Sequence, residues 1–577
     1  MDSILQTDLK GRPLARFLRL LAVDKKEISH IYLYAIFGGI IYLSLPLGIQ
    51  AVISLALANQ ISSSWLILTA VVTLGTLLLG VLQLMQISLT ESIQQKIFVR
   101  SSMEFAFRLP KLRMDALIGK YPPELVNRFF DTLTLQKGLP KILIDLSTAS
   151  LQILFGLLVL SFYHPLFIIF GSIIILILFL IFRLSGPRGL ETSLKESDFK
   201  YKVVYWLEEV ARTLGSFKMA GKSTLAMKKT DSFVKKYLQA RKQHFRVLVF
   251  QFGWIILFKT VVTAGLLILG SLLLIDQQLN VGQFVASEII IIQIIGSVEK
   301  VVLNMETIYD VLTAVEKLGK VTDIPLENGE GAGFKNLEMD RAMSVGFRDV
   351  SFTFPGNTTP SLQNVDLHIL PHEKVCINGE NGSGKTMMLN LISGLYTNYT
   401  GTLSYNGIHL KNLGIQDLRA NIGDCLSQKN LFKGTIMENI TMGNEEIPFK
   451  DIEWAIESVG LLEFVNSLPD GLNSNITPES PLIPFSIKKK MILARCIVKR
   501  PGLLLMDDFL TIWNPGERGR ICRFLTSKEL ETVVAVSSER SFANVCDKII
   551  MMRGGKVEAV GKPEEILQYP SYNKLFH

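Results

Sequence analysis

Three long apolar blocks dominate the first half of this chain. No Asp, Glu, Lys or Arg occurs from Ile31 to Thr90 or from Leu146 to Phe182, and only Lys259 interrupts the run from Val247 to Ile275. A bilayer span takes about 20 apolar residues, so each of the first two blocks is long enough for two. Ala58-Asn59-Gln60 with Ser62-Ser63-Ser64 divides the first block, and His164-Pro165 divides the second. The third block is one span, and Gly282 to Val298 makes another beyond Asp276-Gln277-Gln278. The pattern therefore predicts a six-span membrane region. Soluble cores rarely run so far without a charge, which excludes buried helices of a large soluble protein. Beyond about residue 343 the rhythm changes to short β-rich runs, then helices, then strands alternating with helices, the pattern of an α/β domain.

Charge adds orientation. The 60 Lys and Arg against 52 Asp and Glu give a formal net charge of +8. Basic residues crowd into 91–141, 183–246 and the N-terminal segment with Lys10, Arg12, Arg16, Arg19, Lys25 and Lys26, while the three opposite turns have none. By the positive-inside rule both termini are cytoplasmic, and a nucleic-acid partner is not needed to explain the charge. The first apolar block is too long for a cleavable signal peptide and lacks a small-residue cleavage site. Residues 8–28 read as an amphipathic elbow on the membrane surface, with Leu14, Phe17, Leu18 and Leu21 facing lipid. The two long cytoplasmic segments keep helical periodicity and would project roughly 35–40 Å. Tyr121–Phe129 and Tyr205–Glu209 near their tips are candidates for short transverse helices that touch a cytosolic domain. All five cysteines (Cys376, Cys425, Cys496, Cys522, Cys546) lie in the C-terminal half without metal-ligand or disulfide spacing, as expected of free thiols in a reducing cytosol.

The candidate chemistry begins at Gly379-Glu380-Asn381-Gly382-Ser383-Gly384-Lys385-Thr386, which fits the phosphate-cradling loop G-x-x-x-x-G-K-[ST]. Its glycines let successive backbone N–H groups turn toward one anion. Lys385 supplies charge to the β- and γ-phosphates, and Thr386 offers a hydroxyl to Mg²⁺. Val375-Cys376-Ile377 before it reads as a buried strand and Met387 to Ile392 after it as a helix start, the context the loop requires. Further on, Leu503–Met506 reads as a buried strand ending in Asp507 and Asp508, where a carboxylate can hold Mg²⁺ through water opposite Thr386.

With six spans upstream, these motifs resemble the ATP-binding cassette (ABC) exporters in their half-transporter form, from about residue 10 to the C-terminus. The resemblance implies a membrane all-α six-helix domain followed by a cytosolic α/β P-loop nucleotide-binding domain, with ATP and Mg²⁺ as ligands. The expected divisions are an elbow at 1–28, the transmembrane domain at 29–319, a linker at 320–343 and the nucleotide-binding domain at 344–577. It implies that Phe354, in Val350–Pro355, stacks on adenine where the family often has Tyr. It also implies that Gln428, in Ile422–Gln428, touches Mg²⁺ and relays the nucleotide state, with Leu431–Ile440 continuing the family pattern. Leu45-Pro46-Leu47-Gly48-Ile49-Gln50 and the membrane half look most like exporters of type I secretion.

Three departures from the family pattern matter. Counting back from Ala494-Arg495 puts Ile483-Pro484-Phe485-Ser486-Ile487 where the family has Leu-Ser-Gly-Gly-Gln. Pro484 has no N–H to offer a γ-phosphate, and Phe485 blocks the approach that glycine allows. Lys488, Lys489 and Lys490 after it read as a solvated face. Second, the catalytic glutamate is Asp508, one methylene shorter. Third, Thr532–Ser538 aligns with the switch strand, and Ser538 stands where the family has His. The segment Thr511-Ile512-Trp513-Asn514 also departs from the family's Ser-Ala-Leu-Asp. The chain is therefore expected to bind Mg-ATP and hydrolyse it poorly, in a dimer with a second ABC half-transporter, more plausibly a different chain than a copy.

Within the spans, Lys259 and Glu288 stand out as pathway candidates. Their depths differ, so they are not expected to pair, and Lys259 is long enough to snorkel to the inner headgroups. The expected function is an ATP-binding exporter subunit in a bacterial inner membrane, multi-pass in the lipid bilayer, with a periplasmic adaptor as a further partner. The alternative is a non-hydrolysing structural or regulatory subunit of a secretion complex, with a soluble P-loop enzyme a remote third. The sequence does not name the substrate.

Overall fold

The computed structural model describes residues 13–57, 63–327, 329, 341–425, 430–478, 483–510 and 513–576. The chain forms two compact units. One comprises Met1–Pro110 and Lys120–Ile324, the other Lys111–Gly119 and Pro325–His577.

The first unit is helical. After the elbow α1 (Pro13–Ala22) come α2 (Lys25–Leu57) and α3 (Ser63–Arg108), then the short α4 (Pro122–Asn127), α5 (Asp131–Pro140) and α6 (Ser147–Tyr163). The long α7 (Leu166–Arg212), the short α8 (Leu214–Met219), the long α9 (Leu225–Ile275), α10 (Val281–Leu303) and α11 (Met305–Thr322) follow. Among the described residues, six helical stretches are long and apolar enough to cross a membrane. The predicted breaks hold where they are described: α6 ends at Tyr163 before His164-Pro165, and α9 ends at Ile275 before Asp276. Ala58-Asn59-Gln60 and Ser62 lie outside the described residues, while Ser63 and Ser64 already belong to α3. The core of this unit joins α6, α7, α9 and α10 through Leu160, Phe167, Ile174, Phe258, Leu266 and Ile294. Below it, Gly189 lets α7 approach α11 so closely that an added Cβ would lie 2.2 Å from the Tyr309 ring.

Two expectations are corrected here. Phe17 does not face lipid: it is 6% exposed, because α1 packs on α11, while Leu14 and Leu18 stay exposed. Tyr205–Glu209 is not a separate transverse helix. It continues α7, and the short helix at that end is α8, which starts at Leu214 directly after Thr213, the residue that caps α7. The other tip does hold a short helix, α4, started by Pro122 at a position where its missing N–H costs nothing.

The second unit contains two main sheets. Its strands are β1 (Val345–Phe352), β2 (Leu362–Ile369), β3 (Lys374–Gly379), β4 (Thr400–Tyr405), β5 (Ile408–His409), β6 (Ile422–Asp424), β7 (Gly434–Thr435), β8 (Asn475–Ile476), β9 (Leu503–Asp507), β10 (Thr532–Val536), β11 (Lys548–Arg553) and β12 (Lys556–Gly561). An antiparallel sheet runs β2-β1-β4-β5, and the larger sheet runs β12-β11-β3-β10-β9-β6. In the larger sheet β11, β3, β10, β9 and β6 are parallel and β12 is an antiparallel edge. The parallel strands read as continuous apolar runs because both faces are covered: Val375, Cys376, Ile377, Leu503, Leu505, Val533 and Val534 are all fully buried. Parallel strands also carry their C-terminal ends to one edge, the edge where open α/β sheets hold ligands. The stretch Lys111–Gly119 joins this unit through a bridge between Leu112 and Leu326 and a bond from Glu327 N–H to Lys111 O at 2.8 Å.

Candidate nucleotide site

Three strand ends build the site. β3 runs directly into the loop 379–386, and the helix α12 (Lys385–Ile392) starts at its end. The register pairs Val536 of β10 with Ile377 of β3 and with Asp507 of β9, so all three ends emerge side by side. The loop needs glycine at specific places. Gly379, Gly382 and Gly384 have φ of 150°, 82° and 98°. At Gly384 an added Cβ would lie 2.7 Å from Ser361 O, and at Gly379 it would lie 2.1 Å from Met552 O. This winding sets the loop as a nest-like turn above the N-terminus of α12, where the helix dipole favours an anion, and Ser383 N–H closes the turn onto Glu380 O at 3.1 Å.

Lys385 folds back over this nest, its Nζ donating to Gly379 O at 2.7 Å and Glu380 O at 2.8 Å. Burial holds its ammonium below the usual lysine pKa, and the Asp507 and Asp508 carboxylates partly offset that. Ser383 is buried, and its hydroxyl accepts from the same Nζ at 3.4 Å. Thr386 Oγ1 donates to Asp507 Oδ2 at 3.0 Å. A hydroxyl and a carboxylate oxygen at that spacing form a hard-oxygen pair of the kind Mg²⁺ takes along with water and phosphate. Among the described residues no cluster of three or more His, Cys, Asp or Glu is set up to hold a metal by itself.

Asp508 follows β9 with φ 46°, and its N–H donates to Val536 O at 3.0 Å, which ties the end of β9 to β10. Asp tolerates this left-handed backbone better than a longer unbranched residue does. Ser538 is half-buried at the end of β10. Beside it, Ser537 N–H donates to Ile377 O at 3.1 Å, and Glu539 pairs with Arg518 at 2.6 Å. The geometry thus brings the loop residues, Asp507, Asp508 and Ser538 to one edge. Phe354 stands apart in an aromatic group: its ring meets Phe352 at 5.0 Å and Tyr396 at 5.7 Å, both nearly perpendicular. The β1–β2 connection reaches the loop, because Ser361, held by a 2.8 Å bond from its N–H to Phe352 O, places its carbonyl beside Gly384. Gln428, Thr511 and Ile512 lie outside the described residues.

The stretch Ile483–Ile487 leads into the helix Phe485–Ile497, with Pro484 at its N-cap. Phe485 is 60% exposed and lies beneath Lys489 Nζ at 5.3 Å. The lysines after it are not the solvated face the sequence predicts. Lys490 is buried and pairs with Glu517 at 2.6 Å, and Lys488 donates to Pro478 O at 2.5 Å. Helix periodicity turns one of three consecutive lysines inward, where the Glu517 carboxylate and, at 3.4 Å, Gly460 O meet its ammonium.

The sequence reading missed two features. Tyr396 completes the aromatic group, but it comes from the turn after α12, far from Phe354 in sequence. Arg495 is buried, donating through Nε to Asn439 O at 2.6 Å and through Nη2 to Asn439 Oδ1 at 3.0 Å. Asn439 in turn donates to Phe432 O at 2.9 Å, which pins the segment following Gln428 to the helix that follows Ile483–Ile487.

Comparison with known proteins agrees with this architecture. The family described as the ABC transporter transmembrane region matches residues 30–298, and the family described as ABC transporter matches residues 362–511. The fold also matches a solved structure described as a bacterial Atm1-family ABC exporter with ATP bound, with a TM-score of 0.83 and 17% identity, over 96% of this chain and 98% of that one. The chain belongs to the ABC transporters, with membrane and ATP-binding domains in one polypeptide. Among its curated relatives, an ATP-dependent lipid A-core flippase of Chromobacterium violaceum is 27% identical over 258 residues, 44% of each chain. The leukotoxin translocation ATP-binding protein LktB of Mannheimia haemolytica is 25% identical over 365 residues, 62% of this chain and 51% of that one. The chain thus spans about half the length of the curated relatives it matches.

Proposed function

We propose that this chain is the ATP-binding half of an exporter that couples nucleotide binding to outward movement of a substrate across a bacterial inner membrane, with both termini in the cytoplasm. One observation carries the reading. Lys385 and the Thr386–Asp507 pair, at 3.0 Å, sit at the mouth of a phosphate nest in the same chain as six apolar helices. ATP brings the triphosphate. Lys385 would release its loop carbonyls to meet it, Thr386 and Asp507, with Gln428, would hold Mg²⁺, and Phe354 would take the adenine.

Hydrolysis is slow in this reading. Asp508 falls short of the attacking water, Ser538 cannot supply the charge of an imidazole, and Pro484 and Phe485 offer no paired N–H groups to a phosphate across a dimer interface. A different half-transporter is therefore the better partner than a second copy, and any periplasmic adaptor docks on short outer turns. The test is nucleotide binding in lipid: the chain binds Mg-ATP, and Lys385→Ala abolishes that binding. A second reading, a structural subunit that does not hydrolyse ATP, is favoured by the residues at 508, 538 and 483–487. It predicts that Lys385→Ala leaves transport by the assembled complex unchanged, whereas the exporter reading predicts its loss.

A further inference from the structure

The span α10 carries two carboxylates on one face. Glu288 lies seven residues past Val281, about 10 Å along the axis, and Glu299 eleven residues further, about 16 Å deeper. Eleven residues at about 100° each complete three turns plus about 20°, so the two share a side of the helix. Between them that side presents Ile292, 60% exposed, with Ile295 beside it half-buried against the core of α6, α7, α9 and α10. The neighbouring position Gly296 opens onto free space, with no heavy atom within 4 Å of an added Cβ.

The lower carboxylate is matched. Lys259 of α9, sixteen residues in from Ile275 and so at about the same depth, makes an ion pair with Glu299. This corrects the expectation that Lys259 snorkels to headgroups; its partner lies one residue past the predicted end of the span at Val298. The upper carboxylate, Glu288, is half-buried and has no hydrogen-bond or ion-pair partner among the described residues. With Glu299 neutralised by Lys259, the stripe carries one net negative charge, set among isoleucines.

Hydrocarbon is a poor neighbour for such a face, and ionisable residues within spans turn toward a protein interior or a wet cavity. From this geometry we infer that the α10 face bearing Glu288, Ile292 and Glu299 is a binding site for a cargo with a cationic group on an apolar body, the cation meeting Glu288 and the apolar part lying on Ile292 and Ile295. The inference rests on the exporter reading and deepens it by naming the charge of what is carried. Lys259 sets the polarity of the site: by cancelling Glu299 it leaves Glu288 as the single free anion and stops a cation from settling at the lower position.

Two ions of nearly the same shape and opposite charge test this. Binding of tetraphenylphosphonium and of tetraphenylborate is measured by equilibrium dialysis against the full chain in lipid nanodiscs, with empty nanodiscs subtracted. Wild type is expected to hold the cation and not the anion. Glu288→Gln, nearly isosteric, weakens cation binding about tenfold or more, and Glu288→Asp retains most of it. Equal cation binding by wild type and Glu288→Gln overturns the proposal, as does equal binding of the two ions. It is also overturned if wild type binds neither ion and Glu288→Gln instead changes the number of chains per particle, since the face would then be a contact between copies. ATP affinity measured on the same samples separates the two layers: retained ATP binding with no charge preference defeats only this inference, whereas absent ATP binding in wild type defeats the exporter reading.

Discussion

Replacing Gly384 with alanine tests whether the nest at 379–386 is built as described. Gly384 has φ 98°, and its added Cβ would lie 2.7 Å from Ser361 O and 2.9 Å from Leu362 Cδ2. The leucine side chain can shift, but the carbonyl cannot yield cheaply, because Ser361 is tied by its N–H to Phe352 O at 2.8 Å. A left-handed backbone costs an alanine about 1–2 kcal/mol. Relief of the clash by moving the loop adds roughly another 1–2 kcal/mol. The sum, about 3 kcal/mol, corresponds to roughly a hundredfold loss of ATP affinity if the displaced loop must be restored to bind phosphate. Gly382 is the internal control: φ is 82°, but no heavy atom lies within 4 Å of an added Cβ. Gly382→Ala therefore carries the backbone term alone and costs roughly tenfold. Titration with a fluorescent ATP analogue, on variants shown to melt as cooperatively as wild type, reads both. Equal losses in the two variants, or a larger loss at Gly382, would refute the steric argument.

Three further outcomes follow from the same structure. Lys259→Met or Glu299→Gln alone leaves a charge unpaired inside a span and lowers stability in a denaturation titration by about 3 kcal/mol, whereas the double variant recovers most of it; simple additivity would show that the pair is not formed. Burial lowers the Lys385 pKa, so as pH rises the lysine loses its charge before an ordinary lysine would at about 10.4. ATP affinity accordingly falls as pH rises through that lowered value, and a Lys385→Arg variant that still binds ATP should not show the fall. Phe354→Ala removes the ring expected to stack on adenine and should weaken ATP by about 1–3 kcal/mol in calorimetry while leaving inorganic triphosphate binding unchanged.

The parts of this molecule legible in the sequence were those fixed by local physics. Six apolar stretches were visible because hydrocarbon demands an uninterrupted run, and the phosphate loop because its glycine positions follow from backbone angles that few other residues adopt. The strand end at Asp507 was legible as a buried run closing on carboxylates, whereas Ser538, two residues past the end of β10, was placed through the family resemblance. What stayed hidden depends on tertiary placement. Phe17 belongs to an amphipathic helix whose apolar side could equally meet lipid or protein, and only the packing of α1 on α11 decides for protein. Tyr205–Glu209 looked like a separate element because aromatic and acidic residues crowd there, yet α7 runs through it without a breaker until Thr213. The Lys259–Glu299 pair was missed because the apolar pattern stops at Val298, while the helix continues to Leu303. Tyr396 and the inward turn of Lys490 are set by topology, which spacing along the chain does not encode.

The proposed exporter role stands on ATP binding through Lys385 with poor turnover by the chain alone. Its most direct test is steady-state ATP hydrolysis by the purified chain alone in lipid, beside Lys385→Ala, at an ATP concentration shown to saturate wild type. Equal rates within error are expected, with bound nucleotide in wild type only. A wild-type rate clearly above that of Lys385→Ala would contradict it, and would mean that Asp508 serves as an adequate base without the family's signature.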